Sequence, residues 1–171
     1  NHALDLIIRA MVSPGDTVLV DEPGYYPLFA KLKLAQVRMI GVRRNPDGPS
    51  VEDLAAKLAS ERPKLFFTQS LGHNPTGGSI SLPVAHAVLS AVSRHDTIIV
   101  EDDPFTDLPT TVDNRLATLD QLDNVISVGT FSKTLSASLR SGFIAARSDR
   151  IAALAELKML TTVNSSGHVE R

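Results

Sequence analysis

The chain of 171 residues is long enough for one domain with a substantial core, and its 43% hydrophobic and 21% charged residues are those of an ordinary globular protein. A net charge of -2 gives no electrostatic case for direct nucleic-acid binding by this segment, and the absence of cysteine excludes disulfides and thiolate metal sites. No apolar run approaches the roughly 18 residues that span a bilayer, and no signal-peptide pattern is present, so no membrane contact and a cytoplasmic location are expected.

Leu4, Ile7, Ile8 and Met11 recur at helical spacing and predict a helix over 2–12. Ser13-Pro14-Gly15-Asp16 reads as a turn, 17–20 as a short strand, 25–35 as a second helix and 37–42 as the next strand. Asn45-Pro46-Asp47-Gly48-Pro49 breaks that strand. Ser50 with Asp53 resembles a capping box and opens a helix through Leu54, Leu58 and Ala59. Residues 65–68 form the third strand. Ser81-Leu82-Pro83 starts a helix that runs to about Arg94, with proline in the first turn, where no amide hydrogen is needed. Strands follow at 97–100, 125–128 and 142–146, and an amphipathic helix at 149–160.

Strands alternating with helices, and strands that are apolar almost throughout, predict an α/β fold: a three-layer α/β/α sandwich on a mainly parallel sheet. No repeat or linker divides it, so residues 1–171 read as one domain. The chain opens at Asn1 without a methionine, already inside a helical pattern, and at Arg171 another helix is starting. It is therefore expected to be a piece of a longer protein.

In sheets of this kind polar groups converge beyond the carboxyl ends of the strands. The first strand is followed by Pro23-Gly24-Tyr25-Tyr26, the third by Gly72-His73-Asn74-Pro75-Thr76-Gly77-Gly78 and the fourth by Glu101-Asp102-Asp103-Pro104-Phe105. The fifth leads into Gly129-Thr130-Phe131-Ser132-Lys133, with Arg140 seven positions after the lysine. Each stretch has an ordinary reading: a turn around Asn74, core tyrosines, a solvated lysine. The three acidic residues are also compatible with a magnesium site.

Together they bring an amide, a carboxylate, an aromatic ring, a lysine, hydroxyls and an arginine to one edge of one sheet. That inventory suits a planar, cationic, phosphorylated aldehyde. Lys133 is then the amine that forms a Schiff base, and Asp102 keeps a pyridinium nitrogen protonated. Asn74 donates to a ring oxygen and Tyr25 covers a ring face. Arg140, Thr130 and Ser132 bind the phosphate, with the unpaired amides at Asn1 as a further phosphate site. No metal is expected, because the five histidines show no ligand spacing. His73 is near enough in sequence to approach the ligand, but Asn74 is the better candidate.

The ordered set Asn74-Pro75-Thr76-Gly77, Asp102-Asp103-Pro104-Phe105, Ser132-Lys133 and Arg140 resembles the class I/II aminotransferases, the fold type I pyridoxal-phosphate enzymes. The phrases from Phe131 to Arg140 and from Leu157 to Thr161 look most like the aminotransferase-like domains of MocR-type regulators, in which a GntR-class winged helix-turn-helix precedes the cofactor domain. This resemblance implies the large domain of a fold type I enzyme, pyridoxal 5'-phosphate as cofactor, and a homodimer with its sites at the subunit interface. It also implies an amino-acid or amine ligand, and DNA contact only through a module outside this chain. The expected function is the effector-sensing domain of a GntR/MocR-type regulator; the alternative is a free-standing aminotransferase passing an amino group to a 2-oxo acid. The family usually carries tyrosine where this chain has Phe105, which removes a hydroxyl from the ring oxygen and leaves Asn74 as its side-chain partner. A magnesium-dependent phosphoryl-transfer domain would leave Asn74 and Tyr25 idle, and no glycine fingerprint of a dehydrogenase follows the first strand.

Overall fold

A computed structural model describes residues 1–105 and 114–162. The elements in order are α1 (His2–Met11), β1 (Thr17–Glu22), α2 (Tyr26–Leu34), β2 (Arg38–Asn45), β3 (Gly48–Pro49), α3 (Val51–Glu61), β4 (Leu65–Thr68), α4 (Leu82–Val92), β5 (Ile98–Asp103), α5 (Leu116–Asp120), β6 (Val125–Thr130), β7 (Gly142–Ala145) and α6 (Ser148–Thr162). They build a seven-stranded sheet in the order β3-β2-β1-β4-β5-β6-β7. The strands from β2 to β6 are parallel, and β3 and β7 are antiparallel edges.

Period-two alternation assigns each strand residue to one of two layers. Val18, Val20, Leu65, Phe67, Val100, Ile126 and Val128 pack with α1, α2 and Leu154 of α6. Leu19, Val42, Phe66, Ile99 and Val125 pack with Leu54 and Leu58 of α3, Val88 of α4 and Leu116 of α5. The expected sandwich is present.

Local signals explain several boundaries. Ser50 Oγ accepts from Asp53 N at 3.4 Å and Ser81 Oγ from Val84 N at 3.4 Å, so both hydroxyls cap the helices they precede. The helix of α4 stops at Val92, short of the expected Arg94, and His95 lies in the following turn. The segment read as a break after β2 is instead a hairpin: β2 runs to Asn45 and β3 returns along it, Arg44 opposite Pro49. The short helix α5 has no sequence cap of its own and was not expected. Its first amides, of Leu116 and Ala117, are received by the Glu101 carboxylate at 2.8 and 2.9 Å. A cap supplied by another strand leaves no local pattern.

Phe66 is fully buried at the centre of the α3/α4 layer. Phe66→Ala is expected to cost about 3–5 kcal/mol through lost transfer energy and the cavity left behind, read as a lower urea midpoint with an unchanged slope.

Candidate functional site

The site starts from the register of the parallel strands. Thr68 of β4 lies opposite Glu101 of β5, and Asp102 lies opposite Val128 of β6. The carboxyl ends of β1, β4, β5 and β6 therefore stop within a residue or two of one another, and the polar residues that follow meet along one edge.

The three acidic residues of β5 separate there. Glu101 points into the α3/α4/α5 layer, fully buried, receiving the Ser70 hydroxyl as well as the first amides of α5. Asp103 points the same way, accepts from Phe105 N at 3.0 Å and pairs with Arg115 Nε at 2.5 Å. Asp102 alone turns to the opposite face, into a cleft that it lines with Tyr25, Phe29, Gln69 and His73. Burial pushes its carboxyl above the usual range, and Asp103 adds to this. Hydrogen bonding from Gln69 opposes it. The alternation that separates the three carboxylates leaves them no shared space for a cation, and no group of three potential metal ligands is found among the described residues.

Gln69, which sequence reading passed over, joins two of the expected residues. Its Nε2 donates to Asp102 Oδ2 at 3.1 Å, and its Oε1 accepts from Asn74 N at 2.7 Å. Its position directly after an apolar strand was the available signal. Beneath it lies a buried cluster that was also missed. Arg44 Nη1 donates to Asp21 Oδ2 at 2.8 Å and to Thr68 Oγ1 at 3.1 Å, and Thr68 Oγ1 donates to Asp21 Oδ2 at 2.8 Å. His73 is buried beside it, with Nε2 3.6 Å from Asp21 Oδ2 and Nδ1 2.8 Å from Thr76 Oγ1.

A second cluster forms after β6. Thr130 Oγ1 lies 3.1 Å from Ser132 Oγ and accepts from Ser132 N at 3.2 Å, while Arg140 Nη1 donates to Ser132 Oγ at 3.3 Å. Arg140 adopts a left-handed backbone, φ 53°, which turns its side chain back over the loop onto Ala137 O at 3.0 Å. The structure thus brings Thr130, Ser132 and Arg140 together. The start of α1 at Asn1 lies near both Asp102 and Arg140, between the two clusters. Lys133 is exposed in the same loop and makes no hydrogen bond or ion pair with Asp102, Asn74 or Tyr25. Phe105 packs against Gly72, whose φ of 54° and missing Cβ make room for it: a Cβ there would stand 2.9 Å from the ring.

One edge therefore offers a carboxylate at the floor of a cleft with an aromatic wall, a hydroxyl-and-guanidinium cluster suited to an anion, and an exposed primary amine. The sequence pattern described as Aminotransferase class I and II matches residues 1–171. The chain belongs to that family. It is 32% identical over 163 residues to a 2-aminoadipate transaminase of Thermus thermophilus, covering 92% of this chain and 41% of the relative. It is 29% identical over 168 residues to the HTH-type transcriptional regulator YisV of Bacillus subtilis, covering 97% and 35%. In three dimensions it superposes on the α-aminoadipate aminotransferase LysN of Thermus thermophilus, solved with N-(5'-phosphopyridoxyl)-L-leucine. The TM-score is 0.85 at 29% identity, over 95% of this chain and 43% of that one. The chain thus spans between 35% and 43% of these relatives' length.

Burial, with the Arg44 guanidinium beside it, lowers the His73 ring to about 4, whereas burial raises the Asp21 carboxyl to about 6 despite Arg44. For His73 the folded value lies below the unfolded one of about 6.5. Its contribution to stability is therefore complete above pH 6.5 and lost as pH falls towards 4. Asp21 acts in the opposite sense: its contribution is present below its unfolded value and lost as pH rises through about 6. The two slopes offset each other in net stability, so the check is nitrogen NMR of the imidazole. The ring of His73 is expected to stay neutral through pH 5.

Proposed function

We propose that residues 1–171 are the cofactor-binding large domain of a pyridoxal-phosphate protein that receives an amino acid or amine. The observation that carries this reading is the isolation of Asp102. Of three consecutive carboxylates, only this one faces the cleft.

The residues present fit the cofactor by their chemistry. Asp102, raised by burial, gains a counter-charge from a protonated ring nitrogen. Thr130, Ser132 and Arg140, with the start of α1 at Asn1, provide hydroxyl, guanidinium and amide donors for a phosphate. Tyr25 covers a ring face, Asn74 serves the ring oxygen, and Lys133 supplies the amine that holds the aldehyde. Bound pyridoxal phosphate supplies an electrophilic carbonyl and an electron-accepting ring, which is chemistry no side chain provides. Once the incoming amino compound displaces it, the freed Lys133 Nζ would take up and return a proton at that compound's α-carbon. The apolar lining from Leu28, Phe29 and Phe67 limits water near Asp102 and strengthens its charge interactions.

Two classes of relative match this chain: transaminases, and regulators that carry a helix-turn-helix label. We favour the regulator, an effector-sensing domain working as a homodimer, with DNA contact supplied by a module outside this chain. Phe105 supports it, because losing a hydroxyl at the ring oxygen weakens turnover chemistry more than binding. The reading of the complete gene for a basic helix-turn-helix segment separates the two.

In the full-length protein, pyridoxal phosphate is expected to produce visible absorbance that borohydride fixes covalently, and Lys133→Ala abolishes both. Colour that remains reducible in that variant overturns the assignment. Asp102→Ala and Arg140→Ala are each expected to raise the cofactor Kd by about 10- to 100-fold, the range of one charge-assisted hydrogen bond. Asp103→Ala, which breaks the pair with Arg115, is expected to lower the urea midpoint with a smaller effect on Kd. Equal Kd effects from Asp102→Ala and Asp103→Ala would contradict the separation of their roles.

A further inference from the structure

Gln69 is bonded through its main-chain N–H and C=O and through both ends of its side-chain amide. It is 6% exposed and follows Thr68, whose partner across the sheet is Glu101, so Gln69 stands level with Asp102 on the cleft side. Its main chain is held from both ends of the buried ion pair. Arg44 Nη2 donates to Gln69 O at 2.8 Å, and Gln69 N donates to Asp21 Oδ2 at 3.3 Å. Its side-chain amide cannot be turned over. A main-chain N–H only donates, so Oε1 must face Asn74 N, and Nε2 is left to face Asp102.

We propose that Gln69 is the positioning residue of this site, holding Asp102 ionised and aimed into the cleft and tying it to the Asn74 loop as one rigid unit. What the carboxylate meets in the cleft rests on the pyridoxal-phosphate reading; the hydrogen bonds themselves do not. The physical need for such a residue is clear from the surroundings. Burial and the neighbouring Asp103 of the same strand both favour the neutral acid. Against them stands the amide of Gln69. Tyr25, from the start of α2, and His73, kept neutral, line the cleft without supplying positive charge, and Asp21 is committed to Arg44. A neutral Asp102 could not act as counter-charge to a cationic ring nitrogen. Gln69 is also the only described side chain that bonds to both Asp102 and the Asn74 backbone.

Two variants separate its two contacts. Gln69→Leu removes both. Gln69→Glu keeps the acceptor for Asn74 N and replaces the donor to Asp102 by a second carboxylate. Carbon NMR of aspartate carboxyls in the full-length protein, with the Asp102 signal assigned by its loss in Asp102→Asn, reads the midpoint directly. Gln69→Leu is expected to raise the Asp102 midpoint by about one to two units, the worth of a hydrogen bond to a charged group. Gln69→Glu is expected to raise it at least as far, because two carboxylates in contact resist double ionisation. Should either variant fold poorly, the wild type supplies its own test: the side-chain amide signal of Gln69 should titrate with Asp102, and the titration should vanish in Asp102→Asn. An unchanged Asp102 midpoint in both folded variants, or a Gln69 amide that ignores Asp102, overturns the proposal. Titration of the same wild-type sample with pyridoxal phosphate distinguishes the two readings. No cofactor binding alongside a coupled Gln69–Asp102 pair overturns the cofactor reading alone. Binding with an uncoupled pair overturns the positioning role alone.

Discussion

The ion pair between Arg44 and Asp21 is the constraint on which the site's geometry depends. The Arg44 side chain has no exposed surface and that of Asp21 only 4%. Two charges taken out of water in this way cost more than their attraction returns unless further hydrogen bonds complete them. Here the guanidinium reaches the carboxylate, the Thr68 hydroxyl and the Gln69 carbonyl, so the ends of β2, β1 and β4 are joined at one point. Hydrophobic packing alone would let these strand ends fray, because it has no direction. The charged pair does have direction, and it sets the height at which the chain leaves each strand. The turn carrying Tyr25 and the loop carrying Asn74 both start from that height.

Above this floor, the alternation of β5 does the sorting. Successive side chains on a strand must face opposite layers. Three adjacent carboxylates are thereby given three separate tasks: a cap for α5, a partner for Arg115, and a charge at the floor of the cleft. Their proximity in sequence looks like a cation site, but the sheet sends the outer two into one layer and the middle one into the other. The same parity puts Thr130 on the face of Asp102 and Val128, so one edge carries both the Asp102 cleft and the Thr130–Ser132–Arg140 cluster.

The loop after β6 works on a different principle. It has few apolar anchors, and its shape comes from hydrogen bonds of 3.1 to 3.3 Å among Thr130, Ser132, Ser141 and Arg140. The Ser132 hydroxyl hydrogen and the remaining Arg140 N–H groups are left for an anion, whereas the Arg44 cluster is bonded to itself except at Asp21 Oδ1 and Arg44 Nε, which are buried without a partner. This contrast separates scaffold from site: the buried polar cluster is shut off from solvent, and the exposed one is open.

By itself the sequence determined the alternating α/β architecture, the serine cap at Ser50, the helix start at Ser81-Leu82-Pro83, and the candidates Lys133, Asp102, Asn74, Thr130, Ser132 and Arg140. These follow from local rules: periodicity, capping, and polar residues just past apolar strands. It also contained the family pattern that the full-length match bears out. Only the tertiary structure decided which of Glu101, Asp102 and Asp103 enters the cleft, that α5 exists, and that Gln69 and Arg44 belong to the site's foundation. Each of those depends on partners far away in sequence: Gln69 lies 33 positions from Asp102 and 25 from Arg44. A hydrogen bond across strands leaves no mark on the local pattern of either residue, so it can be seen only once the register of the sheet is known.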